Sequence, residues 1–303
     1  MQLNGLRQEP GHNSFVGAVT GAGRYLGLPG DANWYSGATA HAFALNIHTE
    51  LCPSGPYLCP RQPLLDLLAN TGLRAEELGW YSEANTAAER AAAEERLRAH
   101  LDAGGPGLLM NLEWQLVTGY DETGFDTAQP NAPEHDFPPA RLSFGTWAEL
   151  DEIHMNVYLL HPVPPAPRRE AVCAALAYAV NVLGAGGVVE NDYGLGPTGW
   201  ANWRAAVEAG QGVGFGPWWN ATFWSTCRAQ AAGFLRAVGA EFDLATEPAA
   251  AAAERVAGLL ANLIDQDLPT PARLALIAQA AADDGELTTH LGALRAAIEQ
   301  GAA

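Results

Sequence analysis

The chain has 303 residues, 48% of them hydrophobic and 17% charged, with a net charge of −18. That balance describes a globular protein with enough apolar surface for one large domain or two ordinary ones. All 16 basic residues are arginine, which excludes a lysine Schiff base and a Walker-type phosphate loop, and the acidic surface is a poor match for nucleic acid or anionic lipid.

In chain order, the first ten residues lack the apolar core of a secretion signal. A first helix is expected over 14–26, where Phe15, Val19 and Ala22 share one face. The stretch 34–39, opening on Trp34 and Tyr35, reads as an aromatic loop able to line a cleft. In the proline-stiffened segment 51–60, Cys52 and Cys59 stand seven apart. They read either as a reactive thiol or redox-sensitive pair, or as reduced, packed cysteines.

Helices are expected over 63–69 and 86–101, the latter carrying Glu–Arg pairs at helical spacing. Strands are expected over 107–112, 113–120, 125–128, 141–144 and 154–160, several with alternating burial. The loop 121–124 ends in Gly124, which suits a bulged hairpin if that glycine takes positive φ.

The proline-rich stretch 162–167 reads as a stiff connector. Beyond it, helices are expected over 168–183, 198–209, 217–239, 249–265, 270–282 and 285–299. The uncharged run 171–189 includes Tyr178 and Asn181, so a buried helix ending at Gly184 is the better reading than a membrane span. Trp200, Trp203, Trp218, Trp219 and Trp224 read as packing rather than as a ligand cage. Glycines 210, 212, 214 and 216 do not match a dinucleotide fingerprint. The expected division is an α+β domain over 1–163, with an antiparallel sheet, and an all-α domain over 168–303.

No HExxH or CxxC element occurs, and His41 and His48, seven apart, have no metal-ligand spacing; no metal or cofactor is expected. Four cysteines are too few for a disulfide scaffold of this size. The expectation is a soluble cytoplasmic protein without nucleic-acid or membrane partners, with a homo-oligomer left open.

The most informative stretch is 113–130, from Glu113 through Gly119-Tyr120-Asp121 to Gln129-Pro130. It resembles the histidine hairpin of papain-like transferases and peptidases, whose usual form is His, a hydrophobic run, Gly-Tyr-Asp, then Asp-Pro. Residues 11–27 look like the nucleophile helix of the same enzymes. The segments 200–203, 218–224 and 228–235 resemble the helical extension of the butirosin-biosynthesis-H-like family. The resemblance covers most of the chain and implies a papain-like first domain; the activity described for the family is acyl transfer from a carrier-protein thioester to an amine, through a cysteine.

Carried over position by position, the resemblance puts the nucleophile on Ser14, or on Asn13 if the register shifts by one, the base on Glu113 and the orienting residue on Gln129. A hydroxyl is far less acidic than a thiol, a glutamate near its usual pKa of about 4.3 is a weak proton acceptor, and a glutamine brings no charge. The implied protein is a degenerate member of the family. Its cleft, drawing on His12, Asn13, Trp34, Tyr35, Cys52, Cys59 and Trp114, takes a small molecule, peptide or acyl group. The alternative is an acyltransferase or amide hydrolase using Ser14, Cys52 or Cys59. Beside these stand plainer readings: Ser14 as a helix cap, Glu113 as a solvated strand residue, His12 as a loop histidine and Trp114 as packing.

Overall fold

The computed structural model describes residues 1–82, 84–111, 113–130, 140–145, 155–189 and 192–300. In chain order these form α1 (Ser14–Tyr25), α2 (Ala32–Ala38), β1 (Asn46–His48), α3 (Arg61–Asp66), β2 (Leu73–Tyr81), α4 (Ala87–Asp102), β3 (Gly107–Asn111), β4 (Glu113–Tyr120), β5 (Gly124–Thr127), β6 (Arg141–Ser143) and β7 (Met155–Pro162). Then come α5 (Arg168–Tyr178), β8 (Gly187–Val189), β9 (Tyr193–Leu195), α6 (Gly196–Glu208), α7 (Phe215–Phe242), α8 (Glu247–Asn262) and α9 (Thr270–Gln300). Short 3-10 turns cover His41–Phe43 and Leu67–Thr71, and a π-helical turn covers Ala179–Leu183. The fold is mixed α and β with antiparallel sheets and a helical C-terminal region.

The chain divides into two compact units, one of Met1–Tyr35 with Thr71–Pro165 and one of Ser36–Asn70 with Ala166–Ala303. A single cut near the proline connector therefore accounts for only part of the division, because residues 36–70 belong with the C-terminal helices.

The first unit is built on an antiparallel sheet in the order β2-β7-β3-β4-β5-β6. Its strand β7 is buried at every position from Met155 to Leu160, the pattern of a strand covered on both faces. Helix α4 opens with a capping box: Thr86 Oγ1 accepts the Glu89 N–H at 3.2 Å, and the Glu89 carboxylate accepts the Thr86 N–H at 2.7 Å. Strand β2 was not expected. Its Ala-Glu-Glu-Leu composition favours a helix, but pairing with β7 along its length overrides that preference. The 121–124 turn closes differently from the sequence reading: the Asp121 carboxylate accepts the Thr123 N–H at 2.7 Å and the Gly124 N–H at 3.3 Å. Gly124 keeps negative φ and is a glycine because a Cβ there would collide with the Leu142 carbonyl. The expected strand ends at Leu112 and His154 lie outside the described residues.

The second unit is not all-α. Strand β9 pairs with β1 and with β8, giving a three-stranded sheet in the order β1-β9-β8. The segment 34–39 falls mostly in helix α2 rather than in a loop, with Asp31 Oδ1 accepting the Trp34 N–H at 2.9 Å in the manner of an N-cap. Helices expected over 270–282 and 285–299 are one helix, α9, which runs through Gly285. Helix α5 and its π turn end at Gly184. Among the described residues no helix is long and apolar enough to cross a membrane. Trp200, Trp203, Trp219 and Trp224 are buried in this unit, the first two stacked with centroids 5.7 Å apart.

Candidate functional site

Ser14 is the first residue of α1, and the cap is its neighbour: Asn13 Oδ1 accepts the Val16 N–H at 3.2 Å. The Ser14 side chain does something else. Its Oγ accepts the Trp114 N–H at 3.1 Å, so the start of α1 is seated against the start of β4, beside Glu113. Two positions 100 apart in sequence, Ser14 and Trp114, are thereby joined.

A second tie comes from Gln8, which the sequence reading passed over. Its Nε2 donates to the Trp114 carbonyl at 2.8 Å and to the Ser14 carbonyl at 3.3 Å, and its Oε1 accepts the Leu116 N–H at 3.0 Å. The side chain thus behaves as a short piece of strand laid along β4. It reaches that position because the segment before α1 lies directly on the helix; a Cβ on Gly17 or Gly21 would strike the carbonyls of Glu9 and Arg7. Phe15 meets the Trp114 ring edge-on at 5.1 Å, and Trp114 in turn lies 5.7 Å from the Tyr158 ring. Trp114 is therefore part of the packed core.

Gln115 is also buried, and donates to Thr127 Oγ1 at 3.2 Å and the Ala128 carbonyl at 2.9 Å. Ala128 N–H returns a bond to the Leu116 carbonyl at 2.8 Å. A buried amide on an otherwise apolar strand was the one visible signal of this cross-strand lock. The three positions expected to carry the catalytic roles differ in exposure: Ser14 is buried, Glu113 is half-buried and Gln129 is exposed. His12 is half-buried in the turn before α1. Trp34 and Tyr35 are buried, with the Tyr35 hydroxyl packed over Gly23 of α1 and Trp34 over Gly30. Burial pushes the Tyr35 phenol up to about 12.

Cys52 and Cys59 belong to the second unit, and all four cysteines are free thiols. The two differ in chemistry. Burial pushes Cys59 up to about 12. Burial acts on Cys52 too, but the Tyr193 hydroxyl and the amide and hydroxyl of Ser54 outweigh it and hold that thiol below its ordinary value. The His48 ring lies tilted against Tyr193, with centroids 4.7 Å apart. Burial pushes His41, which packs edge-on against Phe223, down to about 4.

Deeper in the same unit, Arg228 and Asp284 form a buried ion pair that the sequence reading did not anticipate. Arg228 Nε donates to Asp284 Oδ1 at 2.7 Å and Nη2 to Oδ2 at 3.0 Å, while Nη1 donates to the carbonyls of Ala42 at 2.9 Å and Ala44 at 2.8 Å. Trp200 Nε1 adds a further bond to Asp284 Oδ2 at 2.9 Å. Among the described residues no group of three His, Cys, Asp or Glu side chains is placed to hold a metal ion.

No protein-family model matches this chain, and no curated protein matches its sequence.

Proposed function

We propose that the first unit is a papain-like fold of the butirosin-biosynthesis-H-like kind, and that it binds a small molecule, peptide or acyl group without turning it over. One observation carries this reading. Ser14, at the nucleophile position, is 1% exposed, and one lone pair of its hydroxyl is already engaged by the Trp114 N–H. A nucleophile needs an accessible lone pair and a base poised to take its proton. Here the base position holds Glu113, a carboxylate in place of the imidazole such a relay uses, and the orienting position holds Gln129, which is exposed.

The test is hydrolysis of p-nitrophenyl acetate and of an N-acetylcysteamine acyl thioester by the wild-type chain and by Ser14→Ala. Both proteins are expected to match the uncatalysed rate. A saturable wild-type rate that disappears in Ser14→Ala would overturn the proposal.

A second reading, acyl transfer or amide hydrolysis through a thiol, is favoured by one feature: the donors around Cys52 that lower its pKa. It requires the thioester to acylate Cys52, and that adduct to vanish in Cys52→Ala while persisting in Cys59→Ala. Without an adduct on Cys52 this reading fails.

A further inference from the structure

The second unit contains a cavity of about 290 Å³ walled by the π turn after α5, the first turn of α6 and the middle of α9. Its lining is mostly apolar, from residues such as Leu183, Leu287 and Leu291, with Trp200, Asp284 and Thr288 as the polar groups. We infer that this cavity is a binding site for a small, neutral, largely apolar molecule carrying one hydrogen-bond donor, of the kind of a phenol or a primary alcohol.

A carboxylate such as Asp284 has about four acceptor positions. Arg228 occupies one on each oxygen and Trp200 one more on Oδ2, so Oδ1 keeps an unspent acceptor position. The Asp284 side chain is 10% accessible and lines the cavity, so a ligand can reach it. Its charge is already balanced by Arg228, which is 2% accessible. A second cation would gain little there, whereas a neutral donor completes the carboxylate's bonding. Thr288 spends its own proton on the Asp284 carbonyl at 3.0 Å, leaving its oxygen as another acceptor. Acceptors thus dominate the polar part of the cavity.

The walls are shaped by backbone features that cost stability. The π turn is an insertion in the helix register of a kind that concentrates at binding sites. Gly196 holds positive φ, with its Cα side facing the Leu183 carbonyl too closely for any side chain. Gly285 sits inside α9, where glycine is less favourable than alanine. A Cβ built there meets nothing within 4 Å, and the residue lines the cavity. Gly285 is itself exposed, so a side chain added there stands at the open side of the cavity.

The experiment titrates phenol, benzyl alcohol and toluene into the full-length chain, following the Trp200 indole N–H resonance and the melting temperature. Phenol and benzyl alcohol are expected to shift that resonance saturably and raise the melting temperature. Toluene, which has the shape without the donor, is expected to bind about fivefold more weakly, the usual worth of one hydrogen bond. Gly285→Ala is expected to weaken all three and Gly285→Leu to abolish binding, with helicity by circular dichroism unchanged. Absence of a saturable shift with any probe would overturn the site. Equal binding of toluene and phenol would overturn the role of Asp284, and undiminished binding in Gly285→Leu would overturn the location.

Discussion

Replacing Arg228 with methionine removes the cation that holds the centre of the second unit together. Asp284 loses two charge-assisted bonds, the carbonyls of Ala42 and Ala44 lose their donors, and only the Trp200 indole remains on the carboxylate. Stripping one partner from a buried ion pair costs about 3–5 kcal/mol, mostly because the remaining charge is left in a poorly solvating site. The two orphaned carbonyls push the expected cost toward the upper end, about 5 kcal/mol. For a unit of this size that corresponds to a fall in melting temperature of roughly 10–20 °C. The double variant Arg228→Met/Asp284→Leu removes both charges and leaves only neutral groups unpaired. Its cost is expected to fall short of the sum of the two single changes by about 3 kcal/mol. Urea unfolding of the wild type, both single variants and the double variant at pH 7.5 closes the cycle. A single-variant cost below about 1 kcal/mol, or simple additivity, would refute the reasoning, because a group with four satisfied bonds in a dry site cannot be that cheap to remove.

Three further outcomes follow from the same geometry. His41 has a folded-state pKa near 4 against 6.5 when solvated; protonation therefore favours the unfolded chain, and stability is full above pH 6.5 and declines as pH falls toward 4. Between pH 7.5 and 5 this group alone withdraws about 2 kcal/mol, so His41→Leu is expected to flatten that part of the stability profile, and an unchanged slope would contradict the assignment. Iodoacetamide at pH 7.5 is expected to alkylate Cys52 first and Cys59 only after unfolding, as peptide mapping would show, with Tyr193→Phe and Ser54→Ala slowing Cys52; labelling of Cys59 ahead of Cys52 would count against it. Ser14→Ala orphans the buried Trp114 amide and is expected to cost about 1–3 kcal/mol in urea unfolding, whereas a cost under about 0.5 kcal/mol would mean the hydroxyl is not a tie between α1 and β4.

What could be read from the sequence was whatever is written locally. Helix α1 announces itself through its apolar periodicity, α4 through Glu–Arg pairs at helical spacing, and β4 through its hydrophobic run and the Gly-Tyr-Asp turn that follows. Strand β2 was hidden because its residues prefer a helix and its structure comes from pairing with a strand about eighty residues away. The three-stranded sheet was hidden for the same reason: β1 and β9 are three residues each and meet across nearly 150 positions. The two expected helices left a break at Asp283 and Asp284. It is not one, since Arg255 and Arg228 compensate the two charges and Gly285 retains helical geometry. At the candidate site, the Ser14–Trp114 bond joins two segments that the motif pattern singles out, but nothing local in Gln8 indicates that its amide will lie along β4.

The most direct test of the account asks whether the Ser14 hydroxyl ever accepts an acyl or phosphonyl group. The wild-type chain is incubated with a fluorophosphonate probe and an acyl thioester, then examined by intact mass and by mapping of the peptide containing Ser14. A hydroxyl committed to the Trp114 amide in a 1% exposed position predicts an unmodified peptide. A stoichiometric adduct on Ser14 in the native protein, absent when the chain is denatured before the probe is added, would contradict it.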